Sequence, residues 1–86
     1  MAEKKPVHKI RLGRITATIW RNESDKGGVW YRVNITRSWK DGDEWRETTG
    51  YDLEDLPVVS QAAMMAYSWI WEKQVSQNQV KGPEVA

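Results

Sequence analysis

Residues 15–39, ITATIWRNESDKGGVWYRVNITRSW, decide the fold. At the start, Ile15, Ala17 and Ile19 point one way, and Thr16, Thr18 and Trp20 point the other. A period of two is the mark of a strand with one dry and one wet face. Asn22–Gly28 breaks the run with turn-forming residues, its two glycines able to supply positive φ. Alternation resumes from Val29 to Trp39: Tyr31, Val33 and Ile35 face one side, and Trp30, Arg32, Asn34, Thr36 and Ser38 the other. The stretch reads as a hairpin, and hairpin strands are antiparallel.

Upstream, Gly13 interrupts an alternation that begins at Ile10. It marks either a bulge or a turn leading out of a short Lys9–Leu12 strand. Downstream, Lys40-Asp-Gly-Asp43 carries the Asp-Gly pair that favours tight hairpin turns. A third strand is expected over Glu44–Tyr51, with Trp45, Thr49 and Tyr51 alternating against Arg46 and Thr48. Trp39 and Trp45 flank this turn and are expected to pack across it.

The period then changes. Asp52–Asp55 offer capping residues and negative charge for a helix N-terminus, and Pro57 suits a first turn. Helical spacing runs from Val58 to about Gln74 in two apolar stripes. Leu56, Val59, Ala63, Ala66 and Ile70 form one, and Val58, Ala62, Met65 and Trp69 the other. One stripe covers a small sheet. The second is expected to be a homodimer contact, unless the sheet curves far enough to cover both. The fold class is therefore α+β: a curved antiparallel sheet of three to four strands followed by one C-terminal helix. Residues 8–75 form the domain, with a flexible basic arm at 1–7 and a disordered tail at 76–86.

The formal charge of +1 conceals an imbalance. Met1–Lys40 holds ten Lys/Arg against three acids, and Asp41–Ala86 holds three against nine. Such asymmetry points to an acidic or nucleic-acid partner. The wet faces of the strands fit that partner: Arg14, Thr16, Thr18 and Trp20, then Trp30, Arg32, Asn34 and Thr36, then Arg46 and Thr48. Guanidinium groups neutralise phosphates, hydroxyls and amides hydrogen-bond, and indoles stack on bases at ~1–3 kcal/mol each. Arg14, Trp20, Trp30, Arg32 and Arg46 are expected to carry the binding, with single strands favoured because Trp20 and Trp30 are stacking residues. Lys4, Lys5 and Lys9 either extend this surface or serve as a solubilising tail.

Other classes find little support. The chain has no Cys and one His, so no disulfide, Cys-based zinc site or other metal centre is expected. The acids between Asp41 and Asp55 lack EF-hand spacing. No nucleophile with its base, carboxylate pair or phosphate-cradling loop stands out, so neither catalysis nor a cofactor is expected. No apolar run would span a bilayer and no signal-peptide pattern opens the chain, which makes an intracellular, cytoplasmic or nucleoid-associated protein the expectation. A Trp-rich protein-interaction module is the competing reading.

Ile35-Thr-Arg-Ser-Trp-Lys-Asp-Gly-Asp-Glu-Trp45, with Gly50-Tyr-Asp-Leu53 and a following helix, resembles the positive-cofactor-four family of single-stranded-DNA-binding coactivators. The resemblance spans roughly Lys9–Ala66. It implies a four-strand-plus-helix domain, dimerisation through the helix, single strands held on the curved sheet and a transcription-associated role. Arg37 and Trp39 stand where that family has an Arg and an aromatic, and Gly50 and Leu53 match its entry to the helix. Arg46-Glu-Thr-Thr49 departs from the Pro and Lys common there. The arrangement also resembles the three-stranded-sheet duplex readers of phage integrase arms and plant ethylene-response factors, which Arg14, Arg32 and Arg46 would suit.

Overall fold

The computed structural model describes residues 5–78. They form β1 (His8–Leu12), β2 (Ile15–Glu23), β3 (Val29–Asp41), β4 (Glu44–Thr48), a single 3-10 turn (Leu53–Asp55) and α1 (Leu56–Asn78). The strands make one antiparallel sheet in the order β1-β2-β3-β4. The α+β architecture expected from the sequence is the one present, and Gly13 makes a turn instead of a bulge. Leu12 faces Ile15 across Gly13-Arg14, and Asp41 faces Glu44 across Gly42-Asp43. Each two-residue loop opens on a glycine, at φ 63° and 65°. An L side chain there costs ~1–2 kcal/mol. The β2–β3 loop is longer and is closed by Ser24, whose N–H donates to Gly28 O at 2.8 Å and whose Oγ accepts from Gly28 N–H at 3.0 Å.

The helix lies across β1, β2 and β3. Ile15, Ala17 and Ile19, all but sealed from solvent, meet Ile10 from β1 and Ala62 and Ala66 from the helix. Alanines on both sides let the two backbones approach closely, which is how so few large side chains close a core. Tyr31, Val33, Ile35, Val59 and Ile70 pack around its margin.

This packing corrects the two-stripe expectation. The sheet contacts a line midway between the stripes, so the buried face takes Val58, Val59, Ala62, Ala66, Trp69 and Ile70 from both. Of the four expected dimer residues, Ala62 is 0 % exposed, Val58 and Trp69 pack against the protomer's own core, and Met65 alone is open to solvent. Trp69 is further engaged: His8 stacks on it at 4.9 Å, Tyr31 meets it edge-on at 6.0 Å, and Lys73 Nζ lies 5.1 Å from its ring centre.

Boundaries shift too. The helix starts at Leu56 and continues to Asn78, so Ser76–Asn78, expected in the tail, are helical. At the other end, Val7 N–H donates to Ile19 O at 2.8 Å, which ties the last residue of the expected arm to β2. Residues 1–4 of the expected arm and 79–86 of the expected tail lie outside the described residues. The third expected strand stops at Thr48, where Thr48 Oγ1 accepts from Gly50 N–H at 3.0 Å and turns the chain out of the sheet. Tyr51 then bends back, and its hydroxyl donates to Ile35 O. Its partial burial raises the phenol pKa above the ordinary value, because the phenolate loses hydration there.

Candidate nucleic-acid interface

Residues directly opposite in an antiparallel pair share a face of the sheet. Two-residue turns therefore decide what joins the face away from the helix. Across Gly13-Arg14, Lys9 lies opposite Thr18 and Arg11 opposite Thr16. Across the β2–β3 pair, Thr16 faces Thr36, Thr18 faces Asn34, Trp20 faces Arg32 and Asn22 faces Trp30. Across Gly42-Asp43, Ser38 faces Glu47 and Lys40 faces Trp45. All of these turn away from the helix.

The face is a trough. A hollow of about 560 Å³ is lined by Pro6, Lys9, Arg11, Thr16, Thr18, Trp20, Asn34, Thr36, Ser38 and Glu47. It runs into a second of about 410 Å³ that shares Trp20 and Asn34 and adds Asn22, Trp30 and Arg32. Short hydroxyl and amide side chains make the floor, with Thr16, Thr18, Thr36 and Ser38 half-buried between taller neighbours. Lys9 and Arg11 rise along the β1 side. Trp20, Trp30 and Arg32 close one end, and Lys40 with Trp45, the latter 64 % exposed, stands at the other. From Trp30 to Ser38 the two hollows span ~27 Å at ~3.4 Å per residue, and Lys40 and Trp45 lie on the same face just beyond them.

Six of the eight sequence-derived binding residues are brought together here: Thr16, Thr18, Trp20, Trp30, Arg32 and Asn34. Arg14 and Arg46 are not. Arg14 sits in the first tight turn, its guanidinium 3.6 Å from Asp55 Oδ1 at the foot of the helix. Arg46 faces Trp39 on the helix side and donates from Nε to Asp41 Oδ2 at 2.8 Å, with Glu44 Oε1 at 3.5 Å. Thr48, opposite Arg37, is on that side as well. The same register separates Trp39 from Trp45, which stand on opposite faces and do not pair. Arg37 and Trp39, the residues that carried the family resemblance, also lie helix-side. There Arg37 contacts Asp55 Oδ2 at 3.5 Å and Asp52 Oδ2 at 3.7 Å, beneath the Trp39 ring. Asp55 is nearly sealed and also accepts from Asp52 N–H at 3.1 Å, so this cluster clamps the helix start to β3.

No family model, curated protein or solved structure matches the chain. Its chemistry is therefore read from the site itself.

The cations of the sheet divide between its two faces by whether they are paired. The salt bridges among the described residues engage Arg14, Arg21, Arg37 and Arg46. Arg21, opposite Tyr31, is held above its ordinary pKa first by its hydrogen bond to Glu23. Lys9, Arg11, Arg32 and Lys40 enter none of these pairs, so the trough cations remain available to a ligand. Lys9, which the sequence offered as an extension of this surface or as part of a solubilising tail, is on the face itself, and sequence reasoning missed Arg11, Lys40 and Trp45 as members of it. The signal for them was the Gly-first turn on either side of the central hairpin. Among the described residues no group of His, Asp or Glu could hold a metal ion, and no helix is long and apolar enough to cross a membrane.

Proposed function

We propose that this chain binds single-stranded nucleic acid in the trough without catalysing a reaction, and that it does so as a homodimer. The observation that carries the binding is the segregation of unpaired cations and indoles around a hydroxyl floor, on the face the helix leaves bare. Lys9, Arg11, Arg32 and Lys40 supply phosphate neutralisation, Trp20, Trp30 and Trp45 supply stacking, and Thr16, Thr18, Asn34 and Thr36 supply hydrogen bonds that tolerate any base. Concavity favours a single strand over a duplex. A sheet that enters a major groove must project its reading residues, whereas here the central ones lie below their rim.

The dimer rests on the outer surface of the helix. Leu56–Trp71 is sixteen residues without a charge. Leu56, Met64, Tyr67 and Trp71 are exposed on the side away from the sheet, with the polar Ser60, Gln61 and Ser68 among and beside them, and an exposed group of large apolar side chains marks an interaction surface. Tyr67 and Trp71 stack at 6.3 Å and form a ready-made ridge. Two copies of an uncharged stripe meet without like-charge repulsion, and the contact would supplement a core in which, among the described residues, Ile15 and Ile19 are the large side chains fully buried.

Tryptophan fluorescence titrated with single-stranded oligonucleotides tests the binding. Quenching at low salt that reverses as salt rises is the expected result. Absence of quenching at micromolar strand overturns it and favours a protein-interaction role for the indoles. Light scattering tests the dimer: the mass of two chains is expected, falling to one for Tyr67→Glu/Trp71→Glu with the circular dichroism retained. A wild-type mass of one chain refutes it.

A further inference from the structure

Among the described residues, one acid stands in the trough. Glu47 lies opposite Ser38 on β4 and lines the main hollow together with Lys9 and Arg11. Its hairpin neighbours Asp41 and Glu44 are both taken up by Arg46 on the other face. Glu47 itself enters no salt bridge among the described residues, and it is exposed. From β1 to β4 is three strand spacings, ~14 Å. The main hollow thus has two cations on one wall and one carboxylate on the opposite wall, offset from Arg11 by two residues along the strands.

We propose that Glu47 sets the direction in which nucleotides lie across the trough and the bases it prefers. This rests on the single-strand reading above. A carboxylate repels phosphate, so the backbone of the strand follows the Lys9–Arg11 wall and the bases project over Thr16, Thr36 and Ser38 towards β4. An ionised carboxylate is also an acceptor with no proton to give. It pairs with an exocyclic amine, as Glu and Asp do with cytosine N4. Thymine and uracil offer no amine, and the carbonyls on either side of their single ring N–H face the negative charge. The strand is therefore read as amino-bearing base against thymine or uracil, on a surface that is otherwise indifferent to sequence.

The test uses the full chain with labelled oligo-dC and oligo-dT of about 12 nucleotides, a length within the span such surfaces cover. Fluorescence anisotropy is measured at pH 7.5, where oligo-dC stays unfolded. Oligo-dC is expected to bind about fivefold or more tighter than oligo-dT, the low end of what one good base contact discriminates. Glu47→Gln, which keeps the shape, removes the charge and adds a donor, is expected to bring that ratio close to one, mainly by strengthening oligo-dT. Equal affinities in the wild type, or a ratio that Glu47→Gln leaves unchanged, overturn the role of Glu47 while leaving strand binding intact. Binding of neither oligonucleotide removes the single-strand reading itself, and this inference with it.

Discussion

Replacing Lys9 and Arg11 together by alanine tests which cations meet the ligand, because the register places both beside the threonine floor while Arg14 and Arg46 lie elsewhere. On a single strand, each phosphate neutralised contributes ~0.7 to the slope of log affinity against log salt. At 0.1 M salt one such contact is therefore worth ~0.7 log units, or about fivefold. Removing two is expected to weaken binding by about 25-fold and flatten the slope by ~1.4. The matched control is Arg14→Ala/Arg46→Ala, which deletes the same charge from the helix side, where Asp55, Asp41 and Glu44 already hold it. Its slope is expected to match the wild type. Anisotropy at four or more salt concentrations measures both, with circular dichroism to establish that each variant is folded. Equal flattening in the two double variants would mean that net charge, and not the trough, governs association. An unchanged slope after loss of Lys9 and Arg11 would place the strand elsewhere.

Three further outcomes follow from the packing. Tyr51→Phe removes the hydrogen bond to Ile35 O and is expected to cost about 1 kcal/mol in urea unfolding. Because the folded phenol pKa lies above the unfolded value near 10, wild-type stability from this group is complete below about pH 10 and is lost as pH rises through the folded value; the Phe variant should lack that alkaline loss. Gly42→Ala meets no atom within 4 Å, so its cost is conformational, about 1–2 kcal/mol, and is read as a lower melting temperature. Asp55→Ala leaves Arg37, only 20 % exposed, without its buried partner, and is expected to cost about 3 kcal/mol with the denaturant slope unchanged.

Much of this protein was legible from residue order alone. Alternation in Ile15–Trp20 and Val29–Trp39, and the turn-forming residues between them, specify the central hairpin, since a strand has only two faces and Gly27 supplies the positive φ the loop needs. The change of period after Tyr51 specifies the helix. Within any one strand, the side each residue takes is equally plain. How strands and helix are matched to one another is a different matter. Arg46 alternates correctly along β4, yet whether it shares a face with Arg32 or with Trp39 depends on the number of residues in the turn, and a slip of one exchanges the faces. Gly42-Asp43 makes that number two, which sends Arg46 and Thr48 to the helix side and Trp45 and Glu47 to the trough. Gly13-Arg14 does the same for Lys9 and Arg11 and strands Arg14 beside Asp55. The helix repeats the lesson. Its apolar residues run around the whole circumference, so spacing offered two stripes of equal merit, and only the approach of Ala62 and Ala66 to Ala17 selected the line between them. Periodicity is local and is written in the chain, whereas register and docking are set by contacts between distant segments, and it is those contacts that determined which charges remain free to bind.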